Sequence, residues 1–561
     1  MSPNSPVQRL TVAVIVRDAE SALAATLDSV RELADEIVVV DTGSRDRTLE
    51  IARRRATKVC EFPWCDDFSA ARNAAWPLMT GDWVLWLDAG ETVSAESAAQ
   101  IRQFVDRQAR PECGYLLLIQ ISAAAASLAA TTDLTQPELA ANYEQAARLR
   151  LLPRRGDLRY VGLVREQIHF DAQRGMLEVC VAPGIIQRQS APNESQLRQA
   201  RAARNLRLAE REDRQTGASA RLELVRGDAY LVQGQPEQAR LAYRRGVELA
   251  ERGSAEMLEA YYGWLTACDE ISTAKDEQLA VAAAALEIFP LDAQLHCAVG
   301  TYLLARGRAD LAARSFQMAA EHGQINLETW HLVGLAEISA SCWAKALEML
   351  GQTEQALKLL ERLALSEDAS ERLLRQLLDF YIARDRRQAA LELVRRLPME
   401  LSARELLRTV VRGACLAAQG NFAAALPFLR AAYDGGCREN LCYVWLANCL
   451  QELGLHGEVS PILADWQRHW PRSAEYRRKV RESGARVMAT PVAPRVGGTP
   501  PAENTRQQRV FRHDPLPLAT GPAPFSPPLA LPTAGSAAQY LTMGNQLYPA
   551  EGMAFQQFAL S

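Results

Sequence analysis

Lysine is nearly absent from this chain: of 63 basic residues among 561, only five are Lys. The 67 acidic residues give a formal charge of -4. That balance argues against a dedicated nucleic-acid binder, which carries a strong basic excess, so no nucleic-acid partner is expected. Long apolar runs are missing too. No stretch reaches the ~18 uninterrupted apolar residues of a membrane span; residues 116–130 come closest and are broken by Gln120, Ser122 and Ser127. No transmembrane segment is therefore expected. The first apolar run has no charged region ahead of it and stops at Arg17 without a small-residue cleavage pattern, which argues against export and for a cytoplasmic protein. The 11 cysteines are odd in number and contain no CxxC pair. They read as reduced, mostly buried thiols and not as a disulfide framework or zinc site, and no metal or redox role is expected of the close pair Cys60 and Cys65. GxGxxG does not follow the first strand, and GxxxxGK[ST] and HExxH occur nowhere. A dinucleotide oxidoreductase is disfavoured and a P-loop NTPase excluded.

What is present divides into three compositions. At roughly 150 residues per domain the length suggests three or four units, or fewer with a repeat array. Residues 1–190 alternate short apolar runs with helical segments. Strands are predicted at Leu10–Val16, Glu36–Val40 and Trp83–Leu87, with helices at Ser21–Leu33 and Arg45–Arg55. Strands separated by helices predict a parallel sheet with right-handed crossovers. Ligands of such sheets sit beyond the carboxyl ends of the strands, here Arg17-Asp18, Asp41-Thr42-Gly43-Ser44 and Asp88-Ala89-Gly90-Glu91.

Residues 191–480 lose the strand signal and repeat internally. Gly227, Tyr230, Gly234, Ala239 and Tyr243 recur with identical offsets as Gly300, Leu303, Gly307, Ala312 and Phe316. Gly413, Leu416, Gly420, Ala425 and Leu429 match again, as do Ala447, Leu450, Gly454, Val459 and Leu463. A weaker copy runs through Leu378, Tyr381, Asp385, Ala390 and Val394; another begins at Trp330 and Gly334, with an insertion before Gly351, Ala356 and Leu360. The pattern resembles the tetratricopeptide repeat, a helix-turn-helix unit of ~34 residues. Its concave surface suits a protein or peptide partner. Residues 481–561 hold a Pro-, Ala- and Gly-rich stretch expected to be mostly disordered. Its last 25 residues regain aromatics and read as a sticky tail sooner than as a docking segment.

Three segments carry chemistry. Asp41-Thr42-Gly43-Ser44 offers a carboxylate for a base or ribose edge and turn amides for an anion, or else Thr42 or Ser44 caps the next helix. Phe62–Asn73 places Asp66, Asp67, Arg72 and Asn73 where a loop enters a helix. Arg72 has the planar fork that grips a diphosphate; the bland alternative is a solvated loop capped by Asp67 or Ser69. Asp88 ends a buried strand, with Glu91 nearby, and Mg²⁺ uses one or two carboxylates plus substrate phosphates in this way.

Together, LTVAVIVRDAE, DEIVVVDTGSRDRTLEIA, FPWCDDFSAARNAA and TGDWVLWLDAGE resemble, in order and spacing, the family 2 glycosyltransferases of the GT-A fold, and most closely those fused to tetratricopeptide repeats. The resemblance implies an α/β GT-A domain followed by an all-α repeat solenoid. It implies that Asp18 and Asp41 contact the nucleoside of a UDP- or GDP-sugar, Arg72 its phosphates, and that Asp88 opens the Asp-x-Asp metal motif. Arg150-Leu151-Leu152 and the segment Tyr160–Ile168 resemble the acceptor side, where Glu166 is the candidate base. The chain departs from the family at the metal motif, where the second Asp is Gly90, and at the family histidines, where Arg165 and Gln187-Arg188 stand. Two explanations stay open: Glu91 joins Asp88 as a ligand of Mg²⁺ or Mn²⁺, or Arg165 and Arg188 neutralise the leaving diphosphate without a metal. The expected function is inverting transfer of a sugar to a protein or glycan acceptor recruited by the repeats; the alternative is a degenerate transferase domain kept in a binding scaffold.

Overall fold

The computed structural model describes residues 8–122, 143–171, 177–189, 194–271, 275–332, 334–365, 369, 371–397, 399–470 and 473–483. The tail expected from residue 481 onward lies outside the described residues beyond Ser483.

The amino-terminal part runs β1 (Leu10–Val16), α1 (Leu23–Ser29), β2 (Glu36–Asp41), α2 (Thr48–Arg55), β3 (Lys58–Glu61), α3 (Phe68–Ala75), β4 (Trp83–Asp88) and β5 (Glu91–Val93). It continues through α4 (Ala95–Arg107), β6 (Cys113–Ser122), β7 (Tyr143–Pro153), β8 (Arg159–Val161), β9 (Gln167–His169) and β10 (Glu178–Gln189). The main sheet has the order β3-β2-β1-β4-β7-β6-β10-β5, and β8 and β9 form a separate antiparallel pair. The three predicted strands are present; β2 and β4 each extend one residue further, to Asp41 and Asp88. The parallel arrangement holds from β3 to β4. Beyond β4 the sheet is mixed, because β7 runs antiparallel to both β4 and β6.

Strand alternation builds two cores. Leu10, Val12, Val14 and Val16 pack with Leu23 and Leu27 of α1 and Ile101 and Phe104 of α4. The intervening Ala13 shares the other face with Val38, Val40, Trp86, Met79 and Ala75. A sheet covered on both faces needs the near-continuous apolar runs seen in β1, β2 and β4.

Sixteen helices follow among the described residues. The first five are α5 (Glu194–Thr216), α6 (Ala220–Val232), α7 (Pro236–Leu249), α8 (Ala255–Glu270) and α9 (Lys275–Leu286). Then come α10 (Ala293–Ala305), α11 (Ala309–Gln317), the short strand β11 (Trp330–Leu332), α12 (Leu335–Met349), α13 (Thr353–Leu363), α14 (Glu371–Ala383) and α15 (Arg387–Leu393). The last are α16 (Leu401–Ala418), α17 (Phe422–Asp434), α18 (Asn440–Glu452), α19 (His456–His469) and α20 (Ala474–Ser483). They stack as antiparallel pairs in a tetratricopeptide-like solenoid. The repeat residues explain the pairing. A Cβ on Gly227, Gly300 or Gly413 would stand 2.5, 2.6 or 2.8 Å from Tyr243, Phe316 or Leu429 of the partner helix, so the helices approach closely only where the side chain is missing. The turn position is left-handed in every copy, with φ of +70° at Gly234, +73° at Gly307 and +79° at Gly420. Asp385 occupies it in the weaker copy at φ +54°, a region that Asp tolerates better than most residues.

Two features differ from expectation. Trp330–Leu332 is not part of a helix: it pairs antiparallel with Glu144–Ala146 of β7 and so joins the solenoid to the sheet. The helix pair of that copy is α12 and α13 around Gly351, and Gly334 precedes α12 at φ +69°. The pair α8 and α9 carries no glycine in its turn segment and escaped the repeat pattern.

Gly300→Ala should lower unfolding free energy by about 1–3 kcal/mol, since its Cβ overpacks against buried Phe316. Gly457→Ala in α19 meets nothing within 4 Å and should be neutral or stabilising by about 0.4–1 kcal/mol. Urea denaturation of the two variants checks both signs.

Candidate active site

The carboxyl ends of β1, β2 and β4 form one rim, and α3 delivers side chains to it. Asp67 caps α3, accepting from Ala70 N at 2.9 Å. Two further α3 residues clamp the acceptor-side segment: Ser69 Oγ donates to Gly162 O at 2.5 Å, and Asn73 exchanges two hydrogen bonds with the Tyr160 backbone at 2.8 and 2.9 Å. Arg72 points between those clamps. Its Nε donates to Glu166 Oε1 at 2.5 Å, and Nη2 lies 3.6 Å from Asp88 Oδ1. The guanidinium also lies over Trp86 (4.7 Å) and Tyr160 (5.3 Å), a desolvated cation–π site.

A second guanidinium completes the cluster. Arg150 Nη2, from β7, meets Asp88 Oδ2 at 2.9 Å and Glu91 Oε1 at 2.8 Å. Glu91 is 1% exposed, and its other oxygen accepts from Asp88 N at 2.8 Å. Burial works against the Asp88 carboxylate, but Arg150 and then Arg72 outweigh it and hold Asp88 well below the usual carboxylate range. Burial pushes Glu91 the other way, up to about 6, against the pull of Arg150 and with help from the Asp88 charge. Arg188 lies opposite Glu91 in the antiparallel β5–β10 register and adds positive potential to both carboxylates.

The nucleoside candidates form a separate group. Asp41 is buried; Oδ1 accepts from Gly43 N and Ser44 N at 2.9 Å each. Its Oδ2 has no hydrogen-bond partner among the described residues. Exposed Asp18, at φ +48°, accepts from Arg45 N at 2.7 Å and donates its own N–H to Ser44 Oγ at 3.0 Å. Neither Thr42 nor Ser44 caps α2: Thr42 Oγ1 donates to Val16 O, and the helix begins only at Thr48. The pleat sets Asp41 and Asp88 on alternate faces at the same rim, since they register with Val16 and Ile15 of β1.

Residues 11–112 match the family model described as glycosyl transferase family 2. Over that span the chain is similar to family 2 glycosyltransferases. A "TPR repeat-containing protein" of Synechococcus elongatus is 44% identical over 99 residues, 18% of this chain and 25% of that protein. An uncharacterized glycosyltransferase of Rickettsia typhi is 32% identical over 95 residues, 17% of this chain and 32% of its own. The chain thus spans about a quarter to a third of the length of these relatives. A solved tetratricopeptide repeat protein from Parabacteroides merdae aligns over 45% of this chain and 94% of its own at 14% identity, with a TM-score of 0.30. Among the described residues no helix is long and apolar enough to cross a membrane.

Asp18, Asp41, Arg72, Asp88 and Glu91 fall inside the span that matches family 2, whereas Arg150, Arg165, Glu166 and Arg188 lie beyond it. The two carboxylates expected to share Mg²⁺ or Mn²⁺ share the Arg150 guanidinium instead, and both Glu91 oxygens are committed. That donor set does not fit a divalent ion held between Asp88 and Glu91. Among the described residues, Cys113, Glu178 and Cys180 also converge, at the far end of the sheet, but Arg110 already binds Glu178 Oε2 at 3.0 Å. Arg165 turns to the solenoid, pairing with Glu259 of α8 and lying 3.9 Å from Asp228 of α6. The resemblance sets it beside the diphosphate; the carboxylates it meets here are Glu259 and Asp228. The sequence reading holds Arg150 only within an acceptor-side segment; its signal is an Arg between Leu149 and Leu151 inside a strand, a pattern that Arg148 shares.

A double-mutant cycle of Arg165→Met and Glu259→Gln, read by denaturant unfolding, should give a coupling of about 1–3 kcal/mol for this partly buried pair. A coupling near zero would return Arg165 to the candidate phosphate ligands.

Proposed function

We propose that the chain is a glycosyltransferase that moves a sugar from a UDP- or GDP-sugar to a protein or glycan acceptor, with inversion. The observation that carries this reading is a rim with two buried, unpartnered polar atoms of opposite character, Asp41 Oδ2 and Arg72 Nη1. One suits a donor on the nucleoside, the other a diphosphate oxygen. Glu166 joins the same Arg72, so the candidate base and the candidate leaving-group cation are held as one unit.

In the reaction, the acceptor nucleophile attacks the anomeric carbon from the side opposite the nucleotide. The new bond forms as the carbon–phosphate-oxygen bond breaks; its electron pair leaves with the diphosphate, and the acceptor proton passes to Glu166. Negative charge grows on the diphosphate, and a preorganised cation facing it is usually the largest catalytic contribution. Arg72 fills that role. Trp86 and Tyr160 cover its faces, so the charge acts in a poorly solvated setting where it is worth more than in water. The helix pairs of residues 191–480 supply the surface for a protein or peptide acceptor or partner, and residues 1–190 supply the chemistry.

Thermal-shift titration with UDP- and GDP-sugars tests donor binding. Asp41→Asn keeps the oxygen that accepts from Gly43 and Ser44 but replaces the unpartnered one; it should preserve the melting temperature and abolish the nucleotide response. Glu166→Gln should retain donor stabilisation while transfer falls about 10²–10⁴-fold. Undiminished transfer would exclude Glu166 as base. No response to any donor would favour the scaffold with a degenerate domain.

A further inference from the structure

A metal site built from Asp88 and Glu91 needs carboxylate oxygens free to converge on one ion. Here they converge on nitrogen. Arg150 Nη2 stands within 3 Å of Asp88 Oδ2 and of Glu91 Oε1 at once. The arginine is anchored in mid-sheet on β7, whose Leu151 registers with Leu85 of β4, and its side chain is 9% exposed. Glu91 is equally fixed: its second oxygen closes the turn back onto Asp88 N, and Gly90 permits that turn at φ +96°. An ion entering between the carboxylates would have to expel a buried guanidinium whose carboxylate partners among the described residues are Asp88 and Glu91 alone, leaving it uncompensated. Mg²⁺ also demands near-octahedral oxygen donors and sheds water reluctantly.

We propose that the Arg150 guanidinium takes the place of a divalent cation between Asp88 and Glu91, so that the diphosphate of the donor is bound here without a metal bridging those carboxylates. This rests on the donor-binding reading for its ligand, but not for its geometry. The arginine differs from an ion in one consequential way. It cannot exchange with the medium, and its unpartnered Nε is a fixed donor on the same group. Arg72 Nη1, also unpartnered, is the second fixed donor. The diphosphate is thereby read by oriented N–H groups and not by a labile ion.

The test uses the full chain and Mn²⁺ alone, followed by the loss of the free-ion EPR signal. Wild type should leave the signal of free Mn²⁺ unchanged, and Arg150→Met, which releases both carboxylates, should bind Mn²⁺ at least about tenfold more tightly. Mn²⁺ binding by wild type that disappears in Glu91→Gln would overturn the proposal. So would an Arg150→Met protein that folds, by circular dichroism, and gains no affinity. If that variant does not fold, the wild-type and Glu91→Gln titrations decide by themselves. Calorimetry with UDP in EDTA and in Mn²⁺ gives the second arm: affinities within about threefold support the proposal, and binding seen only with Mn²⁺ and lost in Glu91→Gln overturns it. Absence of UDP binding under both conditions would count against the transferase reading and leave the Mn²⁺ result standing.

Discussion

A carboxylate withdrawn from water must have a cation beside it, and breaking such a pair from one side costs about 3–5 kcal/mol. Two such carboxylates, Glu91 and Glu166, stand at the rim of this sheet with the half-exposed Asp88 between their cations, and much of the surrounding architecture answers that constraint. Arg150 has to come from a strand next to β4, which β7 satisfies by running antiparallel between β4 and β6. Arg72 has to come from above the rim, so α3 is fixed by an Asp67 cap and by the Ser69 and Asn73 clamps. Those clamps in turn hold the loop that carries Glu166. The aromatic faces of Trp86 and Tyr160 exclude water from the same spot, so the ion pairs and the apolar core of that face are one construction seen from two sides.

Arginine is the residue that makes this possible. Arg72 binds Glu166 through Nε, approaches Asp88 through Nη2 and lies flat on two rings. An ammonium on a flexible stem offers neither the fork nor the planar face. The near-absence of lysine, which in the sequence reads as a matter of composition, has a local structural use at this rim. A lysine at position 150 would also present a compact, strongly hydrated charge, harder to strip of water in a position that is only 9% exposed.

The parts legible in the sequence were those governed by short-range rules. Apolar runs located β1, β2 and β4 to within a residue, and the repeat offsets located the close helix contacts and the left-handed turns, down to Asp385 standing where other copies have glycine. Illegible parts depended on long-range partners. Arg165 and Glu166 are neighbours in sequence, yet Arg165 at φ +50° turns toward Glu259, while Glu166 meets Arg72, each 94 residues away. No local pattern separates two such residues. Trp330–Leu332 is a strand only because the edge of β7 offers it hydrogen bonds. Arg150 escaped for a related reason: reading the rim from the ends of parallel strands overlooks a side chain that reaches it from an antiparallel one.

The alternation of the pleat supplies the last geometric step. Asp41 registers with Val16 and Asp88 with Ile15, on the two strands that flank β1. Two strand spacings put them about 10 Å apart, and the one-residue offset turns them to opposite faces. A ligand small enough to sit on one face can touch only one of them. A ligand touching both has to cross the rim over the end of β1, with its hydrogen-bond donor group at Asp41 and its anionic group at Arg72. A nucleoside joined to a diphosphate has that length and that polarity, which is why the separation of the two carboxylates favours the proposed donor over a simple phosphate or a free sugar.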